Sequence, residues 1–199
     1  FVIYDTAQFV KNRWDNRNRL RQKSGSFYLT IPVTKESKFK RFDEVKVVKN
    51  DWPKKSLISI QRSYQRSPFF DDYMPFFEKI FKEEHKYLSD INIKIIKFFM
   101  EKLDIKTKIL VASKMSLDVN LKSTEMLVEI VKKAGGNCYF SGISGKNYMD
   151  VELFHKNNIN LIFQDYVSKE YRQVFSGFEE NLSILDMLFN LGPESKNFI

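Results

Sequence analysis

A chain of 199 residues with 43% hydrophobic and 15% aromatic side chains can bury a sizeable core without disulfides or a structural metal, which excludes disorder. Seven Gly and five Pro are too few for a fibrous or low-complexity protein, and the single cysteine, Cys138, excludes a disulfide framework and fits a reducing compartment. The formal charge of +8 is uneven: residues 1–66 carry 16 Lys and Arg against 6 Asp and Glu, and residues 67–199 carry 17 against 19. An anionic partner is therefore expected for the N-terminal third, set against the plainer reading of a solvated basic surface. No apolar run reaches the ~20 residues of a membrane helix, so no membrane insertion is expected.

In chain order, residues 1–5 read as a buried strand. A core strand at the very first residue predicts a preceding segment that ties it down. Residues 26–33 alternate as a second strand with Pro32 at its edge, and residues 44–48 form a third candidate. Residues 54–103 read as a helical block with breaks near Pro68, at Pro75 and near Asp90. The recurrence of Phe76, Phe77, Ile80 and Phe81, and of Ile91, Ile95, Phe98 and Phe99, marks amphipathic helices that face a core. Strand and helix then alternate. Residues 108–112 form a strand, and a helix capped by Ser123 stops at Gly135-Gly136. A strand at 138–140, a loop at 141–150, a helix at 151–157 and a strand at 159–166 follow, and a last helix over 181–190 stops at Gly192-Pro193. Such alternation implies crossovers, so the fold class expected is α/β: a mainly parallel sheet with flanking helices, Rossmann-like, in a single domain with a helical insertion.

Two loops carry the chemistry. Ser141, Gly142, Ser144, Gly145 and Lys146 follow a strand and precede a helix, where backbone N–H groups and a helix N-terminus favour an anion. The loop is neither a Walker loop nor a dinucleotide fingerprint. The second cluster, Gln8, Lys11, Asn12, Arg13, Trp14, Asn16, Arg17, Asn18 and Arg19, offers forked donors for phosphate or carboxylate and an indole for stacking. No RRM or KH signature appears, so a compact anionic small molecule is expected rather than nucleic acid. His85 and His155 match no zinc spacing, and no cofactor is identifiable.

These residues also carry a family pattern. The run Phe1-Val2-Ile3-Tyr4-Asp5-Thr6-Ala7-Gln8-Phe9-Val10-Lys11, then Trp14, Asn16-Arg17-Asn18-Arg19 and Leu29-Thr30-Ile31-Pro32-Val33, resembles the start of WbqC-like proteins. So do Ser141-Gly142 through Tyr148-Met149-Asp150, Gln164-Asp165-Tyr166 and the ending 181–190. The resemblance spans nearly the whole chain. It departs from the family pattern in lacking a His- and Pro-containing segment ahead of the first strand, and in placing Ser168-Lys169 where a His-Pro pair would precede Tyr171.

The resemblance implies a bacterial, cytoplasmic transferase of O-antigen, lipopolysaccharide or other surface-polysaccharide biosynthesis, which moves glycine or another acyl group onto a nucleotide-linked amino sugar. On that reading Lys11, Arg17 and Arg19 hold the diphosphate of a nucleotide sugar and Trp14 stacks on base or sugar. The N–H groups of Gly145 and Lys146 stabilise phosphate or oxyanion. Asp5 or Asp150 orients or deprotonates the amine, and Gln164 and Asn18 contact sugar hydroxyls. Gln8, Asn16, Ser141, Gly142, Ser144 and Tyr148 complete the expected substrate contacts. The alternatives are a glycosyltransferase using Asp71-Asp72 or Asp150 with a metal, and a non-catalytic nucleotide-sugar-binding protein of the same pathway. A homodimer through Phe69, Phe70, Phe76, Phe77 and Phe81 is a further option, with burial of these rings in the chain's own core the stronger expectation.

Overall fold

A computed structural model describes residues 1–199. The backbone is mixed α/β and divides into two compact units, residues 1–6 with 107–167 and residues 7–106 with 168–199.

In the first unit, β1 (Val2–Ile3) runs parallel to β4 (Leu110–Val111), and the N-terminal ammonium donates to the Lys108 carbonyl at 2.8 Å. A second parallel pair joins β5 (Cys138–Ser141) to β6 (Asn160–Phe163), with α5 (Val151–Lys156) as the crossover. The pleat sends Tyr139, Leu161 and Phe163 to one side, where they pack with Val131 of α4 (Ser123–Lys133), Met149 and Phe154. Gly135, at φ +71°, ends α4 as the sequence predicts.

The second unit holds the larger core. Strands β2 (Arg17–Gln22) and β3 (Gly25–Thr30) form an antiparallel hairpin closed by the two-residue turn Lys23-Ser24, with Gly25 at φ +119°. Helices α1 (Trp52–Tyr64), α2 (Phe70–Lys82), α3 (Leu88–Lys102) and α6 (Ile184–Leu191) bury an aromatic cluster. Phe189 is fully buried at its centre, stacked on Tyr64 with centroids 5.0 Å apart and on Phe70 at 5.6 Å. Phe76 stacks on Phe98 at 3.7 Å. The phenylalanines read as core are core.

Several expectations require correction. The parallel ladders stay two separate pairs, β1 with β4 and β5 with β6, rather than one continuous Rossmann-like sheet, and β1 and β4 are only two residues long. The 44–48 candidate reduces to isolated bridges at Lys46 and Val47. Its N–H groups are taken singly, Lys46 by the Ser37 hydroxyl, Val47 by the Lys86 carbonyl and Val48 by the Pro32 carbonyl, so no ladder can propagate. Pro75 sits inside α2 without ending it. The proline forfeits one backbone bond at a cost of about 3 kcal/mol, which burial of Tyr73, Met74, Phe77, Ile80 and Phe81 on the same helix outweighs. Ser123 is the first helical residue rather than a cap, whereas the buried Thr124 hydroxyl accepts the Asp150 N–H at 3.0 Å.

Helix α6 is closed with little tolerance. Ser183 caps its start by accepting from the Leu185 N–H, and Gly192 ends it at φ +57°. A Cβ on Gly192 would stand 2.5 Å from the Phe69 ring. Gly192→Ala is therefore expected to lower stability by about 1–3 kcal/mol through strain and overlap together. The reading is a reduced urea midpoint at unchanged slope, and an unmoved midpoint would contradict the assignment.

Candidate functional site

The basic N-terminal cluster belongs to the second unit, where the loop after Phe9 leads into β2. The Asn16 side chain builds this loop from within. It is buried, its Oδ1 accepts the Asn12 N–H at 3.1 Å, and its Nδ2 donates to the Ile31 carbonyl at 3.2 Å. Asn12 is thereby held at φ +64°, a conformation asparagine tolerates better than most residues. Asn16 is thus a positioning residue, and what it presents is Trp14 and Arg17. Trp14 is 63% exposed, its ring 6.2 Å from that of Tyr28, and the Arg17 guanidinium lies 4.1 Å from the Tyr28 centroid. Arg17 makes no ion pair with any carboxylate, so its charge is available to a ligand. Asn12, Arg13, Trp14, Arg17 and Tyr28 together line a cleft of about 200 Å³.

Trp14 and Arg17 also line a larger hollow of about 330 Å³, together with Leu20, Phe77, Phe81 and Leu185 and the polar Asp15, Asn16, Asn18, Asn92 and Ser183. Asn92 of α3 donates to the Asp15 carbonyl at 2.7 Å and ties the helix to the loop there. Burial raises the Asp15 carboxyl above its usual range, with Arg13 opposing the shift.

Other members of the cluster are committed elsewhere. Arg19 pairs with Glu179, and its Nε and Nη2 also donate to the Ser26 hydroxyl. Its charge is already matched, and a diphosphate would have to displace Glu179. Asn18 accepts the Arg19 N–H with its own Oδ1, and Gln8 bridges to Arg41 through backbone. Lys11 is exposed.

The glycine-serine loop belongs to the first unit. Gly145 is buried, and a Cβ there would overlap both the Met149 methyl and the Ser141 hydroxyl, so the close approach demands glycine. Its N–H donates to the Gly142 carbonyl at 2.9 Å and is spent inside the turn, which removes it as an anion donor. The Ser141 hydroxyl likewise donates to the Gly142 carbonyl. Ser144, Lys146, Tyr148 and the Gln164 side chain remain exposed, with the Lys146 ammonium 5.2 Å from the Phe163 ring centroid.

Both carboxylates named as candidate bases have structural tasks. Asp5 is buried, its two oxygens accepting the Ser113 N–H at 2.8 Å and the Ser113 hydroxyl at 2.6 Å. Asp150 caps α5 by accepting the Leu153 N–H. Asp71 and Asp72 stand exposed in the first turn of α2, where they complement the helix dipole.

Sequence reasoning missed a buried polar network in the second unit. Arg21 is 4% exposed and donates to Gln173 and to the carbonyls of Gln22, Gly25 and Ser176. Asp186 is fully buried in α6. One oxygen accepts the Tyr171 hydroxyl at 2.8 Å, and Oδ1 has no partner. The available signal was an aspartate inside the apolar run Leu185–Phe189. Burial raises the Asp186 carboxyl above its usual value, against the tyrosine hydroxyls and the Arg21 charge.

A group that binds its proton more tightly when folded contributes stability that is complete below the unfolded value of ~3.9 and fades as pH rises through the raised folded value. Asp186→Asn should cancel this part. The stability difference between wild type and variant, from urea midpoints at about pH 3 to about pH 7, should change across that window. A difference that is flat with pH refutes the assignment.

Among known proteins, the model of the WbqC-like protein family matches residues 1–198. The uncharacterized protein Rv1507c of Mycobacterium tuberculosis is 30% identical over 202 residues, covering 100% of this chain and 87% of its own length. No solved structure gives a significant match.

Proposed function

The chain belongs to the WbqC-like protein family, and from that premise we propose that it is a sugar-modifying transferase of polysaccharide biosynthesis that moves an acyl or aminoacyl group onto a nucleotide-linked amino sugar. Family membership supports the pathway. The observation that carries the activity class is the cleft of Asn12, Arg13, Trp14, Arg17 and Tyr28, which joins an unpaired guanidinium to an exposed indole. Arg17 and Arg13 bind the diphosphate, forked donors matching its oxygens, while Trp14 stacks on base or sugar. Asn12 and Asn18 offer amides to sugar hydroxyls. In the first unit, taken by itself, Lys146, Ser144 and Gln164 are exposed polar side chains.

The reaction needs an activated acyl donor such as a thioester. The sugar amine attacks the acyl carbonyl carbon, a C–N bond forms, the bond to the leaving thiolate breaks, and the amine proton departs with it. Asp5 and Asp150 are engaged in the fold, so their roles in this reading are to hold backbone rather than to take that proton. A metal-assisted glycosyltransferase draws no support from Asp71, Asp72 or Asp150, each of which stands where a helix terminus accounts for it.

A melting panel of dTDP- and UDP-linked amino sugars tests the proposal. A ligand at about 100 times its dissociation constant adds about 2.7 kcal/mol, a shift of several degrees. Stabilisation is expected without added magnesium and should fall at least about tenfold in affinity in Arg17→Ala, the loss of a charge-assisted bond. Lys146→Ala reports separately on the exposed side chains of the first unit. Binding unchanged in both variants overturns the reading.

A further inference from the structure

One side of the aromatic core in the second unit is hollow. Protein interiors are packed to crystal density, so an apolar recess of about 330 Å³ is a departure that a ligand would repair. Its walls come from the hairpin and four helices: Leu20 and Leu29 of the hairpin, Ile60 of α1, Phe77 of α2, Ile95 of α3 and Leu185 of α6. Polar side chains are the minority of the lining, Asp15, Asn16, Asn18, Asn92 and Ser183 beside Arg17, against a majority of leucine, isoleucine and phenylalanine. Trp14 and Arg17 line both this recess and the neighbouring cationic cleft, so a ligand where the two meet has a charged neighbour on one side and hydrocarbon on the other.

We propose that the recess binds the hydrocarbon chain of an acyl group, with its carbonyl end where the recess meets the cationic cleft that holds the sugar. At ~30 Å³ per water-sized group the volume holds roughly eleven such groups, the size of a medium-length chain. A sugar ring or nucleobase would set much of its polar edge against the leucine, isoleucine and phenylalanine side chains that make up most of the lining, which is costly. Glycine or acetate would leave most of the wall wet. A medium-length chain removes that wall from water and keeps its carbonyl or carboxylate where the recess meets the cleft. This inference rests on the transferase reading and deepens it: the group transferred is a medium-chain acyl group rather than glycine. In the transfer step written above, the chain stays in the recess while its carbonyl carbon exchanges the bond to thiolate sulfur for the bond to the sugar nitrogen.

Calorimetric titration of the 199-residue chain with sodium butyrate, octanoate, decanoate and glycine provides the test. Each added methylene should tighten binding by roughly two- to fourfold up to decanoate, with glycine showing no saturable heat. Ile95→Trp and, independently, Leu29→Trp place an indole in the recess and should each weaken decanoate binding at least tenfold. Melting curves identify any variant that fails to fold, and the chain-length series on the wild type needs no variant at all. Equal affinity for butyrate and decanoate, or decanoate binding unaffected in a folded Ile95→Trp, overturns the inference. The same preparation is assayed for nucleotide-sugar stabilisation. Nucleotide-sugar binding without decanoate binding removes the acyl recess and leaves the transferase. Decanoate binding without nucleotide-sugar binding supports the recess and removes the transferase.

Discussion

The second unit depends on one buried phenol. Tyr64, fully inaccessible at the end of α1, accepts the Arg21 N–H of β2 at 3.0 Å and lies near enough to the Asp186 carboxyl of α6 to interact with it electrostatically. Its ring meanwhile stacks on Phe189. Three elements distant in sequence are fixed by this side chain, and the fixing is directional because a hydrogen bond sets angle as well as distance. The antiparallel register carries that constraint along the hairpin to Arg17, opposite Thr30. The cationic cleft at the hairpin's open end is therefore rigidly supported, as a binding constellation requires.

Two buried ionisable groups flank this phenol, and the structure treats them differently. Arg21 gives its donors to a side-chain amide and three carbonyls, with no carboxylate bonded to it. Asp186 has acceptor capacity left over, since Oδ1 finds no donor. A carboxyl in that position relieves its desolvation by holding a proton, the direction in which burial drives it. The pair is thus a polar brace in which the cation is satisfied and burial raises the acid's affinity for its proton.

The sequence made the core legible because the aromatic recurrence over 76–99 has one physical outcome, and the same holds for the Gly135 and Gly192 stops. The hairpin was half legible. β3 alternates Phe27 and Leu29 with polar residues, but β2 reads Arg-Asn-Arg-Leu-Arg-Gln, a single apolar residue among cations and amides. It is a strand because β3 pairs with it and Arg21 is held by Gln173, a residue 152 positions away. The site divides along the same line. Trp14 and Arg17 were legible by residue type and lie where a ligand can reach them. Arg19, Asp5 and Asp150 look alike in sequence but are claimed by Glu179, Ser113 and the α5 terminus. The hollow was invisible, since Ile95 and Phe99 have a core pattern whether or not the core beside them is filled.

The excess of positive charge in residues 1–66 takes a specific meaning from this partition. Part of it is internal: Arg21 is buried, Arg19 pairs with Glu179, Arg41 with Asp43, Lys49 with Glu84 and Lys55 with Asp51. What remains unpaired near the cavity is narrow, Arg17 and Arg13 at one cleft. A nucleic-acid surface spreads cations along a groove so that many phosphates are neutralised at once. Here two guanidiniums share a cleft of about 200 Å³ with an indole and a phenol, which suits one or two phosphates of a single small molecule. The neighbouring recess adds apolar wall and no further cation, so the same geometry that selects a compact anion also selects one with a hydrophobic partner beside it.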